Sequence, residues 1–138
     1  MIVFITLIVI FFSPGLFRYY KRNYYVPSED FKYYNSYFTE KVNFYKLLEE
    51  KEKKKFIARV LYTKANKHFH GREGMEVTDE VQLLLSASFV QLTFGYSQQV
   101  LQEYSKIVIY PGTFYSKIVK AQVKGLTFNN GQILISWK

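Results

Sequence analysis

Cysteine is missing altogether from this 138-residue chain, so neither a disulfide framework nor a thiolate metal site is open to it. Histidine is nearly missing: His68 and His70 are the only two, and they stand two residues apart. A zinc site takes three or four ligands of suitable type, so this pair supplies too few by itself, although Glu73 and Glu76 lie near it in sequence. The plainer expectation is a loop with Phe69 packed inward and both imidazoles in solvent. Charged side chains are absent before Arg18. What the chain has in abundance is apolar and aromatic surface, 49% and 20% of its residues, which excludes general disorder. Its length bounds it to one domain with a modest core.

The net charge of +8 is unevenly placed. Residues 18–67 hold 13 Lys/Arg against 6 Asp/Glu, whereas residues 68–138 hold 6 against 5. A nucleic-acid binder is expected to carry its basic patch on the folded domain with polar readers beside it, and no nucleic acid is expected as a partner here.

Met1 to Phe12 is apolar apart from Thr6, and Leu16 and Phe17 follow Ser13-Pro14-Gly15. A bilayer-spanning helix needs about 20 apolar residues, with a lower limit near 17. Residues 1–17 are therefore expected to be a membrane anchor. Arg18, Tyr19, Tyr20, Lys21 and Arg22 fall at the membrane interface, where aromatic rings and cations collect. Positive charge on the C-terminal side alone places the rest of the chain in the cytoplasm, as a single-pass protein. Two rivals stay open: a cleaved signal peptide, which lacks its usual leading Lys/Arg and small cleavage-site residues, and a buried helix or strand, which Ile2-Val3-Phe4-Ile5 would suit.

Residues 18–45 form a basic, Tyr-rich juxtamembrane segment holding eight of the 13 tyrosines. In it, Ser28 reads as a helix cap with Glu29 and Asp30 in the first turn, predicting a short helix over about 29–37. The run Glu49-Glu50-Lys51-Glu52-Lys53-Lys54-Lys55 places acids before lysines on a helix and reads as a solvated face. Phe56, Ile57, Val60 and Leu61 supply the apolar face of that helix.

Residues 46–138 read as helices first and a small antiparallel sheet second, an α+β arrangement. Gly71 and Gly74 suit positive-φ turns. Thr78 caps a helix that is apolar nearly all round from Val81 to Phe94, so it must be buried on most sides. Gly95 reads as its C′ residue. Lys106–Tyr110 is a strand halted by Pro111-Gly112, and Ile118–Phe128 is a second extended stretch. Asn129-Asn130-Gly131 is a hairpin turn, and Gln132–Trp137 alternates as a half-buried strand.

Three pieces occur in a telling order and spacing: Gly71-x-x-Gly74-x-Glu76-x-Thr78-Asp79, Tyr110-Pro111, and Gly131-Gln132-Ile133-Leu134-Ile135-Ser136-Trp137. From about Phe56 to Trp137 the chain resembles the Mlc titration factor A family of zinc-dependent peptidases. The resemblance implies the N-terminal part of a zincin-like domain. In the family the Ser-Trp strand leads into a helix bearing His-Glu-x-x-His, the motif that holds zinc and the general base; these residues contain no such motif. The resemblance thus implies zinc for the complete family domain, with no cofactor, metal ligand or catalytic residue in this chain. In related metallopeptidases an edge strand before the metal helix pairs with extended substrate. Ile133, Leu134, Ile135, Ser136 and Trp137 are accordingly the expected substrate strand, with a peptide or protein as partner. Two explanations for the missing motif stand side by side: a truncated piece of a longer peptidase, and a metal-free, membrane-tethered interaction module.

Overall fold

A computed structural model describes residues 14–96 and 101–138, and the chain divides into two units, residues 1–62 and 63–138. In the first unit helical backbone covers residues 14–24, α1. It is followed by α2 (Ser28–Lys41), α3 (Asn43–Lys46) and the start of α4 (Glu50–Asn66). Helix α2 begins one residue earlier than the cap reading supposed. Pro27 is its N-cap without a side-chain bond, and Ser28 is its first helical residue. Glu29 and Asp30 do occupy the first turn, where the positive end of the helix favours acids. At the start of α4 the Glu49 N–H donates to Glu52 Oε2 at 3.1 Å, the returning half of a capping box.

Aromatic packing holds this unit together. Phe38, Tyr45 and Phe56 are fully buried with ring centroids 5.4–5.7 Å apart, and the Phe38 and Phe56 rings meet edge to face. The Tyr45 hydroxyl donates to Asn35 Oδ1 at 2.7 Å, which satisfies the polar end of a buried ring. Burial, reinforced by the Glu50 carboxylate, drives the Tyr45 phenol far above its ordinary pKa. The solvated-face reading of the charge run holds: residues 49–52 and Lys54 are exposed, while Phe56 to Val60 are buried.

The expected membrane-spanning helix is corrected. Among the described residues no helix is long and apolar enough to cross a membrane. Residues 1–13 of that expected anchor lie outside the described residues. Helix α1, residues 14–24, turns polar within a few residues, through Arg18, Lys21 and Arg22. Asn23 is 1% exposed, donates to the Tyr19 carbonyl at 2.8 Å and accepts from Arg59 Nε at 2.9 Å. A buried amide that bonds a buried guanidinium belongs to a protein interior, where polar groups must find partners.

The second unit is α+β. A four-stranded sheet has the order β1-β2-β6-β5, with β1 His68–Gly71, β2 Lys106–Tyr110, β6 Gln132–Ser136 and β5 Gly125–Phe128. A separate two-stranded ladder joins β3 (Phe114–Ser116) to β4 (Ala121–Val123). Helix α5 (Asp79–Thr93) connects β1 to β2. The sheet is mixed, not antiparallel as the sequence suggested: β1 and β2 run parallel, as do β2 and β6, and only β5 and β6 are antiparallel. The reason is connectivity. Between β1 and β2 the α5 crossover returns the chain to the same end of the sheet and so makes the pairing parallel, and between β2 and β6 the intervening β3–β5 segment does the same. Within this sheet only the Asn129-Asn130-Gly131 turn joins neighbouring strands as a hairpin.

Val81, Leu85 and Phe89 of α5 pack against Ile107, Ile109 and Ile133 of the sheet, with Phe69, Met75, Val77 and Ile135 at the margin. Thr78 caps α5 as expected, its side chain accepting from the Val81 N–H. Leu83, Ser86, Ala87 and Val90 are also buried, which bears out the nearly all-round apolar pattern, although Leu92 is exposed. The Lys64 ammonium pairs with the Asp79 carboxylate.

Candidate functional site

The sheet has two outer strands, β1 and β5, and each has one ladder partner among the described residues. Strand β6, the expected substrate strand, has both sides taken. It pairs with β2 from Gln132 to Ser136 and with β5 from Gln132 to Ile135. Its side chains serve the interior: Ile133 is buried, while Leu134, Ile135 and Ser136 are half-buried. Even Trp137, beyond the strand, donates its N–H to the Tyr110 carbonyl at 2.8 Å. Since a strand can add only where main-chain donors and acceptors are unspent, β6 does not offer the edge; its hairpin partner β5 does.

The phase of the ladder says which groups of β5 point outward. The Ser136 N–H donates to the Lys124 carbonyl at 2.8 Å. Antiparallel pairs alternate between hydrogen-bonded and non-bonded. Leu126 and Phe128, opposite Leu134 and Gln132, therefore turn their N–H and C=O groups to β6. Gly125 and Thr127, opposite Ile135 and Ile133, turn theirs to the free edge. Ile133 and Ile135 accordingly face β2, in phase with the Lys106 N–H bond to the Gly131 carbonyl at 3.2 Å. Gly125 and Thr127 are exposed, so nothing on their own side chains covers the groups they present.

Two features fix this edge in place. Gly131 has φ +79°, the left-handed conformation that closes a three-residue hairpin loop, and its N–H bonds the Phe128 carbonyl at 3.1 Å. A Cβ on Gly131 would stand 2.5 Å from the Glu103 carbonyl oxygen, so the turn is seated directly on the loop preceding β2. That loop is held in turn by Lys67, whose ammonium donates to the Leu101 carbonyl at 2.9 Å and the Tyr104 carbonyl at 2.5 Å. The same ammonium lies 5.5 Å from the Phe89 ring centroid, and burial pushes its pKa below the usual lysine value.

Of the two histidines, neither lies in a loop: both are on β1, on the face opposite Phe69, and both are exposed. The expected burial thus holds while the expected backbone does not. Two exposed imidazoles on one strand fall short of a zinc site, and among the described residues no group of three His, Cys, Asp or Glu side chains is placed to hold a metal. The described residues do not fit zinc. Arg18, Tyr19, Tyr20 and Lys21 are exposed on α1, whereas Arg22 is half-buried with its guanidinium 5.5 Å from the Tyr19 ring.

No curated protein and no solved structure matches the chain. The profile of the glucose-regulated metallopeptidase M90 family matches residues 17–138, in agreement with the resemblance carried by the Gly71–Asp79 and Gly131–Trp137 segments. The chain belongs to the glucose-regulated metallopeptidase family M90.

Proposed function

We propose that these residues form the peptide-holding, non-hydrolysing part of a metallopeptidase-like domain, and that an extended peptide adds to the sheet along β5. The observation that carries this reading is the outward pair of N–H and C=O groups at Gly125 and Thr127, next to the strand that leads into the family's Ser-Trp signature. Main-chain pairing supplies affinity in such strand addition, and alternate side chains supply selectivity. Hydrolysis is assigned to no residue here, because the described side chains do not assemble a metal site. Membership of the metallopeptidase family supports a peptide, above other ligands, as the occupant.

Thr127→Pro tests the reading. A proline here removes an N–H that β6 does not use, and edge strands tolerate proline on their solvent side. Losing one hydrogen bond worth about 1 kcal/mol should weaken binding of a short Val/Thr-rich peptide about fivefold, with circular dichroism unchanged. Unchanged peptide affinity in a folded Thr127→Pro chain would remove the edge from the account.

A further inference from the structure

From Tyr104 to Lys138 the chain carries five lysines and no aspartate or glutamate. Three of those lysines belong to one projection. Strands β3 and β4 pair Phe114 with Val123, Tyr115 with Gln122 and Ser116 with Ala121, and the turn between them is Lys117-Ile118-Val119-Lys120. Lys124 follows β4 directly. All three lysines are exposed.

The hairpin has a dry face on β3 and an apolar tip. Phe114 and Ser116, on one face of β3, are buried, and the Phe114 ring stacks on Tyr110 with centroids 4.2 Å apart. At the tip Ile118 is 69% and Val119 51% exposed, while Tyr115, on the opposite face of β3, is 59% exposed. The tip is also shaped: the Val119 N–H donates to Ser116 Oγ at 3.4 Å, and Lys120 takes a left-handed conformation with φ +52°. Two adjacent aliphatic side chains are thus held out to water by an ordered turn, with a cation on each side.

A convex apolar tip needs a surface that yields to it. A folded protein would have to offer a matching pocket, whereas the headgroup–acyl boundary of a bilayer accepts such a tip anywhere. Lysines beside the tip, uncompensated by any carboxylate in the same stretch of sequence, match an anionic surface. We propose that the β3–β4 hairpin docks on anionic lipid, with Ile118 and Val119 entering the interface and Lys117, Lys120 and Lys124 meeting the headgroups. The docking is peripheral and independent of how β5 is used.

The absence of native cysteine makes the test clean, because Val119→Cys gives a single labelling site in the full chain. An environment-sensitive fluorophore there should shift to the blue on phosphatidylserine–phosphatidylcholine vesicles and stay unshifted on phosphatidylcholine alone. The same label on Gln91→Cys, an exposed position of α5, should not respond. Each lysine near the surface is worth about fivefold in partitioning, so joint replacement of Lys117, Lys120 and Lys124 by Gln should weaken the response about 100-fold. A chain that co-sediments with vesicles while the residue-119 label stays unshifted would overturn the proposal. So would an equal shift on neutral vesicles, no response to either vesicle, or a shift produced by polyglutamate without lipid, which would assign the hairpin to an acidic protein.

Discussion

Three glycines separate two reasons for glycine that sequence cannot tell apart. Gly131 has φ +79°, and a Cβ there would also meet the Glu103 carbonyl oxygen at 2.5 Å. Gly74 has φ +77° with nothing within 4 Å of such a Cβ. Gly71 has an ordinary φ, but its Cβ would fall 1.9 Å from the Met75 carbonyl oxygen. A left-handed non-glycine residue costs roughly 1–2 kcal/mol, and forcing atoms into filled space costs roughly 1–3 kcal/mol. Gly74→Ala should therefore lose about 1–2 kcal/mol, and Gly131→Ala about 2–5 kcal/mol because both terms apply. The obstacle at Gly131 is backbone, in a loop fixed by Lys67, so it cannot step aside as a flexible side chain would. Gly71→Ala should also exceed Gly74→Ala despite its unremarkable φ. Urea unfolding of the three variants measures this directly. Each 1 kcal/mol corresponds to about 4–8 °C in Tm for a unit of 60–100 residues. Equal losses at Gly131 and Gly74 would refute the seating of the hairpin turn on the Glu103 loop.

Lys67→Met should cost roughly 1–3 kcal/mol, since it withdraws a charged donor from two carbonyls. Because burial lowers the Lys67 pKa, the unfolded chain binds more protons between that lowered value and 10.5. Stability should therefore rise with pH across this window in the parent chain, and Lys67→Met should flatten that rise; an identical pH profile in the two chains contradicts the burial argument. Calorimetric titration with zinc should give no high-affinity isotherm, and a His68→Ala/His70→Ala chain should titrate like the parent. Stoichiometric binding abolished by that double substitution would show that the two histidines do complete a site.

Local chemistry was the legible part of this fold. Thr78 as a cap, the strand Lys106–Tyr110, the turn at Asn129-Asn130-Gly131 and the alternation of Gln132–Ser136 all depend on neighbours within a few residues. What the sequence hid was pairing between distant strands. The unbroken apolar run Ile107-Val108-Ile109 suits a strand covered on both faces, as in parallel sheets, but hydropathy does not say which strands become its neighbours, so β1 and β6 gave no sign of flanking it. The candidate edge was missed for the same reason. Gln132–Trp137 carries the family signature and drew attention, while the short, half-exposed Gly125–Phe128 beside it owns the free main chain. One signal was there to find: a strong hairpin turn implies an antiparallel partner immediately before it, and that partner is the outer strand. Gly71 reads as a turn glycine by its neighbours, yet its constraint is a carbonyl four residues on, invisible without coordinates. The expected interface segment after residue 17 is where hydropathy fell short, because it does not register that Asn23 is buried against Arg59.

Amide hydrogen exchange of Gly125 and Thr127, with and without a short Val/Thr-rich peptide, tests the central claim most directly. Alone, these two amides should exchange fast while Leu126 and Phe128, bonded toward β6, are protected. With peptide, Gly125 and Thr127 should slow together. Protection of both amides before any peptide is added, or peptide binding that leaves both fast, would contradict the account.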